Sequence, residues 1–230
     1  MNIAIIPARG GSKRIPRKNI KHFCGKPIIA WSIEVARASG LFEHIVVSTD
    51  DDEIADVSRQ WGAEVPFMRP ASLADDFANT FQVMSHTLKE LNATGISVGS
   101  ACCLYPTAPF VQVKDLVSAH NTLVNSQCSY VFAATTFDFP IQRAFSLEKN
   151  GAVNMLQPEY AFLRSQDLPE VFHDAGQFCW GKPECFMDLI SPFDGNSRIQ
   201  VLPRYRVQDI DTPDDWVNAE LMFASLSKRG

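Results

Sequence analysis

The chain has 230 residues, 46% of them apolar, and its 21 basic and 26 acidic side chains give a net charge of −5. That length buries a full core in one domain, residues 1–230, and the acidic balance makes a nucleic-acid partner a poor expectation. No run approaches the roughly 18 apolar residues a membrane helix needs, and no secretory signal is visible. Six cysteines with no C-x-x-C pair form no disulfide scaffold, which fits a cytoplasmic location.

Ile3 to Ile6 is an apolar run that predicts a short buried parallel strand. It empties into Pro-Ala-Arg-Gly-Gly-Ser-Lys-Arg-Ile-Pro-Arg-Lys-Asn, residues 7–19. From Met1 to Ile33 there is no Asp or Glu, yet seven basic residues fall there, leaving 14 basic against 26 acidic residues for the rest. Such a patch on an acidic protein is solvated, paired with distant carboxylates, or matched to an anionic ligand. Gly10, Gly11 and Ser12 let backbone N–H groups approach phosphate oxygens, so a polyanionic small molecule, a triphosphate, fits best. Neither G-x-x-x-x-G-K-[ST] nor G-x-G-x-x-G occurs.

Pro27 is expected in the first turn of a helix that ends at Gly40. His44 to Thr49 is a second buried strand, and the acidic run after it caps the next helix through Thr49 or Asp50, with Asp51, Asp52 and Glu53 favouring the positive end of its dipole. Ser48 and Asp50 fall where a ligand crevice would open. Ala63 to Phe67 predicts a short strand before Arg69-Pro70, residues 79–92 a helix, and Val98 to Leu104 a strand running into the Tyr105–Pro109 turn. Cys102 and Cys103 are packing sulfur. A helix over Val113–Val124 and a strand over Tyr130–Thr135 continue the alternation, which predicts a mostly parallel sheet covered on both faces.

From Phe137 to Gly176 the pattern changes. Ala144–Leu147 and Ala152–Met155, joined across Asn150-Gly151, predict a β-hairpin that something must cover. His173-Asp174 belongs to no hydrolytic triad, since no G-x-S-x-G turn exists. Near the C-terminus, Asp209 and Asp211 flank Ile210. In an extended segment they converge on one side while Ile210 packs inward, which makes a plausible magnesium site. Thr212, Pro213 and Asp215 start the last helix.

The basic loop with Ile20, together with Val-Ser-Thr-Asp at 47–50, Arg69-Pro70, Leu-Tyr-Pro-Thr at 104–107, Arg-Ser-Gln-Asp-Leu-Pro at 164–169 and Asp-Ile-Asp at 209–211, resembles the CMP-nonulosonate cytidylyltransferases over nearly the whole length. These enzymes activate sialic-acid-like sugars with CTP. The resemblance implies a three-layer, Rossmann-like α/β fold of the nucleotide-diphospho-sugar transferase kind, with residues 137–176 as an insertion that makes a homodimer interface and helps complete the partner's site. It implies a nucleotide site of Arg9, Gly10, Gly11, Ser12, Lys13, Lys18, Asn19, Arg69 and Thr107, with Arg9, Lys18, Asp209 and Asp211 catalytic and Mg²⁺ on the two aspartates.

Sialate-type members usually have an arginine shortly after the Tyr105–Pro109 turn, where Phe110 and Val111 stand here. Phe139–Arg143 and His173–Phe178 resemble pseudaminate-type sequence. That branch implies transfer of CMP from CTP to a nine-carbon 2-keto acid sugar, pseudaminate, with Arg143, Arg164, Gln166, Asp167 and His173 at the sugar and Arg143, Arg164 or Gln166 on its carboxylate. The alternatives are N-acetylneuraminate, legionaminate or 3-deoxy-manno-octulosonate as the sugar, a catalytically silent nucleotide-binding module, and a sugar transferase that also uses Asp-x-Asp.

Overall fold

A computed structural model describes residues 1–75 and 77–227. In chain order it contains β1 (Asn2–Pro7), β2 (His22–Phe23), β3 (Lys26–Pro27), α1 (Ile28–Ser39), β4 (His44–Ser48), α2 (Asp52–Gln60), α3 (Thr80–Ala93) and β5 (Ser100–Leu104). Then follow α4 (Val113–Ser126), β6 (Tyr130–Thr136), β7 (Phe145–Leu147), β8 (Val153–Met155), β9 (Phe172–Gly181), α5 (Pro183–Met187), β10 (Ser197–Val201) and α6 (Pro213–Ser227).

Six strands form one sheet in the order β10-β6-β9-β5-β1-β4. β1 runs parallel to β4 and β5, β10 parallel to β6, and β9 alone runs antiparallel, between β5 and β6. Alternation along β1 divides the core between two faces. Ala4 and Ile6 pack with Ile29 and Ile33 of α1 and Leu116 and Leu123 of α4. Ile3 and Ile5 pack with Met84 and Leu88 of α3 and Phe186 of α5. The sheet is therefore sandwiched between two helical layers, as expected of the three-layer α/β class.

A third cluster positions the site. Ile15 of the basic loop and Ile210 of the Asp-Ile-Asp segment are buried together with Phe23, Ile28, Phe110 and Trp216. Each isoleucine turns inward and its charged neighbours turn out. Burying a side chain of this size is worth about 1.5–3 kcal/mol, so one small core fastens two segments that lie far apart in sequence.

In its elements the structure departs from the sequence expectations in four places. Pro27 lies just outside α1 with an extended ψ of 137°, because it closes the β2–β3 ribbon. Asp51, not Thr49 or Asp50, caps α2 by accepting from the Ile54 N–H. Thr49 Oγ1 instead accepts from the Asp51 N–H. The strand expected over Ala63–Phe67 shrinks to one bridge between Val46 and Glu64, since Pro66 has no N–H to extend a ladder. The insertion expected over 137–176 ends earlier, because its last five residues begin β9, a central strand of the sheet. Phe110 and Val111, where sialate-type members usually have an arginine, are buried in the core.

Candidate active site

The basic loop leaves the C-terminal end of β1, where parallel sheets collect ligands. Its shape is fixed by the acidic run after β4. Asp50 Oδ1 accepts from the Gly10 N–H at 3.0 Å. Arg17, held at φ +55°, donates to Asp51 at 2.5 and 2.8 Å and to Glu53 at 2.5 Å. The Arg17 guanidinium is the main cause that holds the Asp51 carboxyl down to about 2. Asn19 Nδ2 donates to the Arg9 carbonyl, and Ser12 Oγ donates to the Ile15 carbonyl. Both side chains expected at the nucleotide therefore also brace the loop.

The two glycines are not equivalent. A Cβ on Gly10 would sit 2.6 Å from Asp51 Oδ2 and 3.0 Å from Asp51 Cβ, while one on Gly11 would meet nothing within 4 Å. Gly10 is there for the close approach of Asp51, and its N–H is already taken by Asp50. Only Gly11 stands open.

Arg9, Ser12, Lys13, Arg14, Lys18, Asn19 and Asp211 line one cavity of about 330 Å³. Lys18 Nζ donates to the Ile210 carbonyl at 2.8 Å and reaches Asp211 Oδ1 at 3.3 Å. Arg14 Nη2 lies 2.8 Å from Asp211 Oδ2. A second cavity of about 200 Å³ shares Arg9, Lys18 and Asn19 and continues to Arg69, Thr80, Tyr105 and Thr107. Arg69 is buried and donates to the Ser48 carbonyl, with Nε 3.2 Å from Ser48 Oγ. Burial lowers its pKa to about 10. Ser48, expected to line the crevice, is fully buried and supports Arg69 instead.

The expectation that Asp209 converges with Asp211 on one side is not met, since the two line different cavities. With Asp138, His173, Asp174 and Arg204, Asp209 lines a cavity of about 270 Å³. Its pKa is raised, by burial first and by Asp211 second. The Asp-Ile-Asp segment is thus a partition, with Asp211 on the basic cavity, Asp209 on its neighbour, and Ile210 buried between.

Of the residues expected at the sugar, the structure brings only His173 to Asp209. Arg164 pairs with Asp167 at 2.7 Å, and Arg143 donates to the Leu163 carbonyl at 2.8 Å. Those residues and Gln166 lie on the insertion, outside that cavity. Sequence reasoning missed Arg14, Tyr105, Asp138, Asp174 and Arg204. Asp174 adjoins a residue already singled out; Arg204 carries no local signal.

Comparison with known proteins bears on the family and the fold. A cytidylyltransferase family model matches residues 3–179. The chain is 44% identical over 222 residues to the pseudaminic acid cytidylyltransferase of Campylobacter jejuni, covering 96% of each chain. It is also 44% identical over 232 residues to the CMP-N,N'-diacetyllegionaminic acid synthase of Legionella pneumophila, covering 96% of this chain and 95% of that one. A solved CMP:2-keto-3-deoxy-manno-octonic acid synthetase complexed with CTP has the same fold, with a TM-score of 0.72 over 97% of this chain and 98% of that one at 14% identity.

Proposed function

The chain belongs to the cytidylyltransferase family, and from that membership we propose that it transfers CMP from CTP to the anomeric hydroxyl of pseudaminic acid, forming CMP-pseudaminic acid. It is a nucleotidyltransferase. The observation that carries the reading is the partition: a basic cavity and a sugar-sized cavity meet across Asp209 and Asp211. A nucleotide on one side and an acceptor on the other would place the reacting phosphorus between them.

In this reading the triphosphate lies against Arg9, Ser12, Lys13 and Lys18, and the base enters the cavity of Arg69, Tyr105 and Thr107. The sugar oxygen bonds to the α-phosphorus, the bond from that phosphorus to the bridging oxygen breaks, and pyrophosphate leaves. No protein nucleophile is required, so rate comes from positioning and from cations placed where charge develops.

Mg²⁺ belongs to the same reading. Among the described residues no group of three or more His, Cys, Asp or Glu is placed to hold a metal. Phosphate-bound Mg²⁺ commonly takes only one or two carboxylates, with water and phosphate oxygens completing the shell. Asp209 and Asp211, one on each side of the partition, would supply two carboxylates, and the Asp209 pKa is raised by burial first and by Asp211 second. When bound there, the ion would neutralise charge on the α-phosphate and ease loss of the sugar hydroxyl proton. Lys18 and Arg14 would then be released from Asp211 toward phosphate.

We also propose a cytoplasmic homodimer. Phe139, Phe145, Leu147 and Phe162 of the insertion are 83%, 63%, 73% and 100% exposed. A second copy covering that face would bury them, and it is the route by which Arg164 and Gln166 would reach a sugar.

The deciding experiment is pyrophosphate release with Mg²⁺ and each nucleoside triphosphate in turn, against pseudaminate, legionaminate and N-acetylneuraminate. Turnover is expected with CTP and pseudaminate. Equal identity to the legionaminate enzyme makes legionaminate the second reading, and turnover with it alone would overturn the sugar assignment. Silence with every acid sugar would move weight to a nucleotide-binding module or a sugar transferase. In the same assay, Gly10→Ala should raise KM for CTP roughly 10–100-fold by displacing Asp51 and the loop it fixes. Gly11→Ala should stay within about twofold, as open space costs nothing in van der Waals contact. Equal effects would contradict the distinction.

A further inference from the structure

Beside Asp209, which the reading above gives to Mg²⁺, Asp138 and Asp174 add two further carboxylates to the cavity on the sugar side. An acid sugar entering it meets repulsion unless a cation answers. The adjoining cavity of about 350 Å³, between β6 and the insertion, shares Thr136, Asp138 and Arg204 with the first. Among the described residues, Arg204 is the single arginine or lysine lining either one.

Its guanidinium is half used. Nη1 lies 3.2 Å from Asp138 Oδ1 and donates to the Phe137 carbonyl at 3.1 Å. Among the described residues, Nε and Nη2 have no hydrogen-bond partner. A carboxylate takes a guanidinium edge in two parallel hydrogen bonds, and that fork is what separates arginine from lysine. The pair with Asp138 is exposed on both sides, 51% and 74%, and exposed pairs are worth little. Swinging from Asp138 to a ligand therefore costs little. The backbone beneath does not swing, because Arg206, at the other end of the same 3₁₀ turn, is buried and bound to Asp115.

We infer that Arg204 determines specificity for an acidic sugar by holding its carboxylate, leaving Asp138 as the substrate enters. The inference rests on the cytidylyltransferase reading above and assigns the carboxylate contact to a residue on the core, not to Arg143, Arg164 or Gln166 on the insertion.

The test compares wild type, Arg204→Gln, Arg204→Lys and Arg164→Gln in steady-state pyrophosphate release, with thermal melts of each. Arg204→Gln should raise KM for the sugar about 10–100-fold, the value of a charge-assisted pair. KM for CTP should stay within about twofold and the melting temperature should not move, since the residue is exposed. Arg204→Lys should restore part of the loss by returning charge without the fork. An unmoved sugar KM in Arg204→Gln, with wild type active, would overturn the inference alone. So would equal rises in both KM values. A wild type silent with every acid sugar would overturn this inference and the reading beneath it together.

Discussion

Asp115→Asn is expected to destabilise the protein by about 3–5 kcal/mol, the usual result of removing one partner from a buried ion pair. For a chain of this size that corresponds to a fall in Tm of about 10 °C. Asp115 and Arg206 are 5% and 4% exposed and meet in a two-pronged contact of 2.6 and 3.1 Å. Asparagine retains an oxygen for the Gln112 N–H that Asp115 caps, so the loss isolates the charge. It leaves Arg206 buried with the Phe110 carbonyl as its remaining side-chain partner. The double variant Asp115→Leu with Arg206→Met should recover much of the loss, because it abandons no charge in the core. A single variant melting within about 2 °C of wild type would refute the claim.

The same pair explains why part of the site was legible and part was not. The strand before the basic loop, the charge asymmetry around it and the inward-facing Ile210 are all local patterns, and the structure places them as expected. The bond between Arg206 and Asp115 spans 91 residues, and nothing near either residue announces it. β9 escaped for a similar reason. Its first half, Phe-His-Asp-Ala-Gly, is neither apolar nor alternating, and a register irregularity interrupts its pairing with β6. Only its fit between β5 and β6 makes it a strand, so tertiary context overrides local preference.

Phe110 stands where sialate-type members usually have an arginine, and its role here is packing. Its side chain is buried, with its ring centroid 6.5 Å from that of Phe23. Its carbonyl, not its ring, touches the site's scaffold, by accepting from Arg206. The acidic run after β4 was likewise assigned to capping, and Asp51 does cap α2. What the pattern concealed was the second use of the run, as the clamp on Gly10 and Arg17 that shapes the loop.

Asp211→Asn and Asp209→Asn are each expected to lower kcat by roughly 10²–10³-fold, the cost of losing one positioned charge at a reacting phosphate. The two should differ from a loop variant in the sign of their effect on nucleotide binding. Asp211 holds Lys18 and Arg14 in the protein alone, so neutralising it frees both cations to meet phosphate, and KM for CTP should hold or fall as kcat collapses. Arg9→Ala removes a cation from the same cavity and should raise KM for CTP together with its loss of rate. The Mg²⁺ concentration for half-maximal rate should rise in both aspartate variants and not in Arg9→Ala. If the two aspartates act as one unit, the double variant should be little slower than either single one, since residues that share a role lose it only once. A folded Asp211→Asn with kcat within about threefold of wild type would sink the role, and multiplying losses in the double variant would show two independent functions where a shared Mg²⁺ implies one.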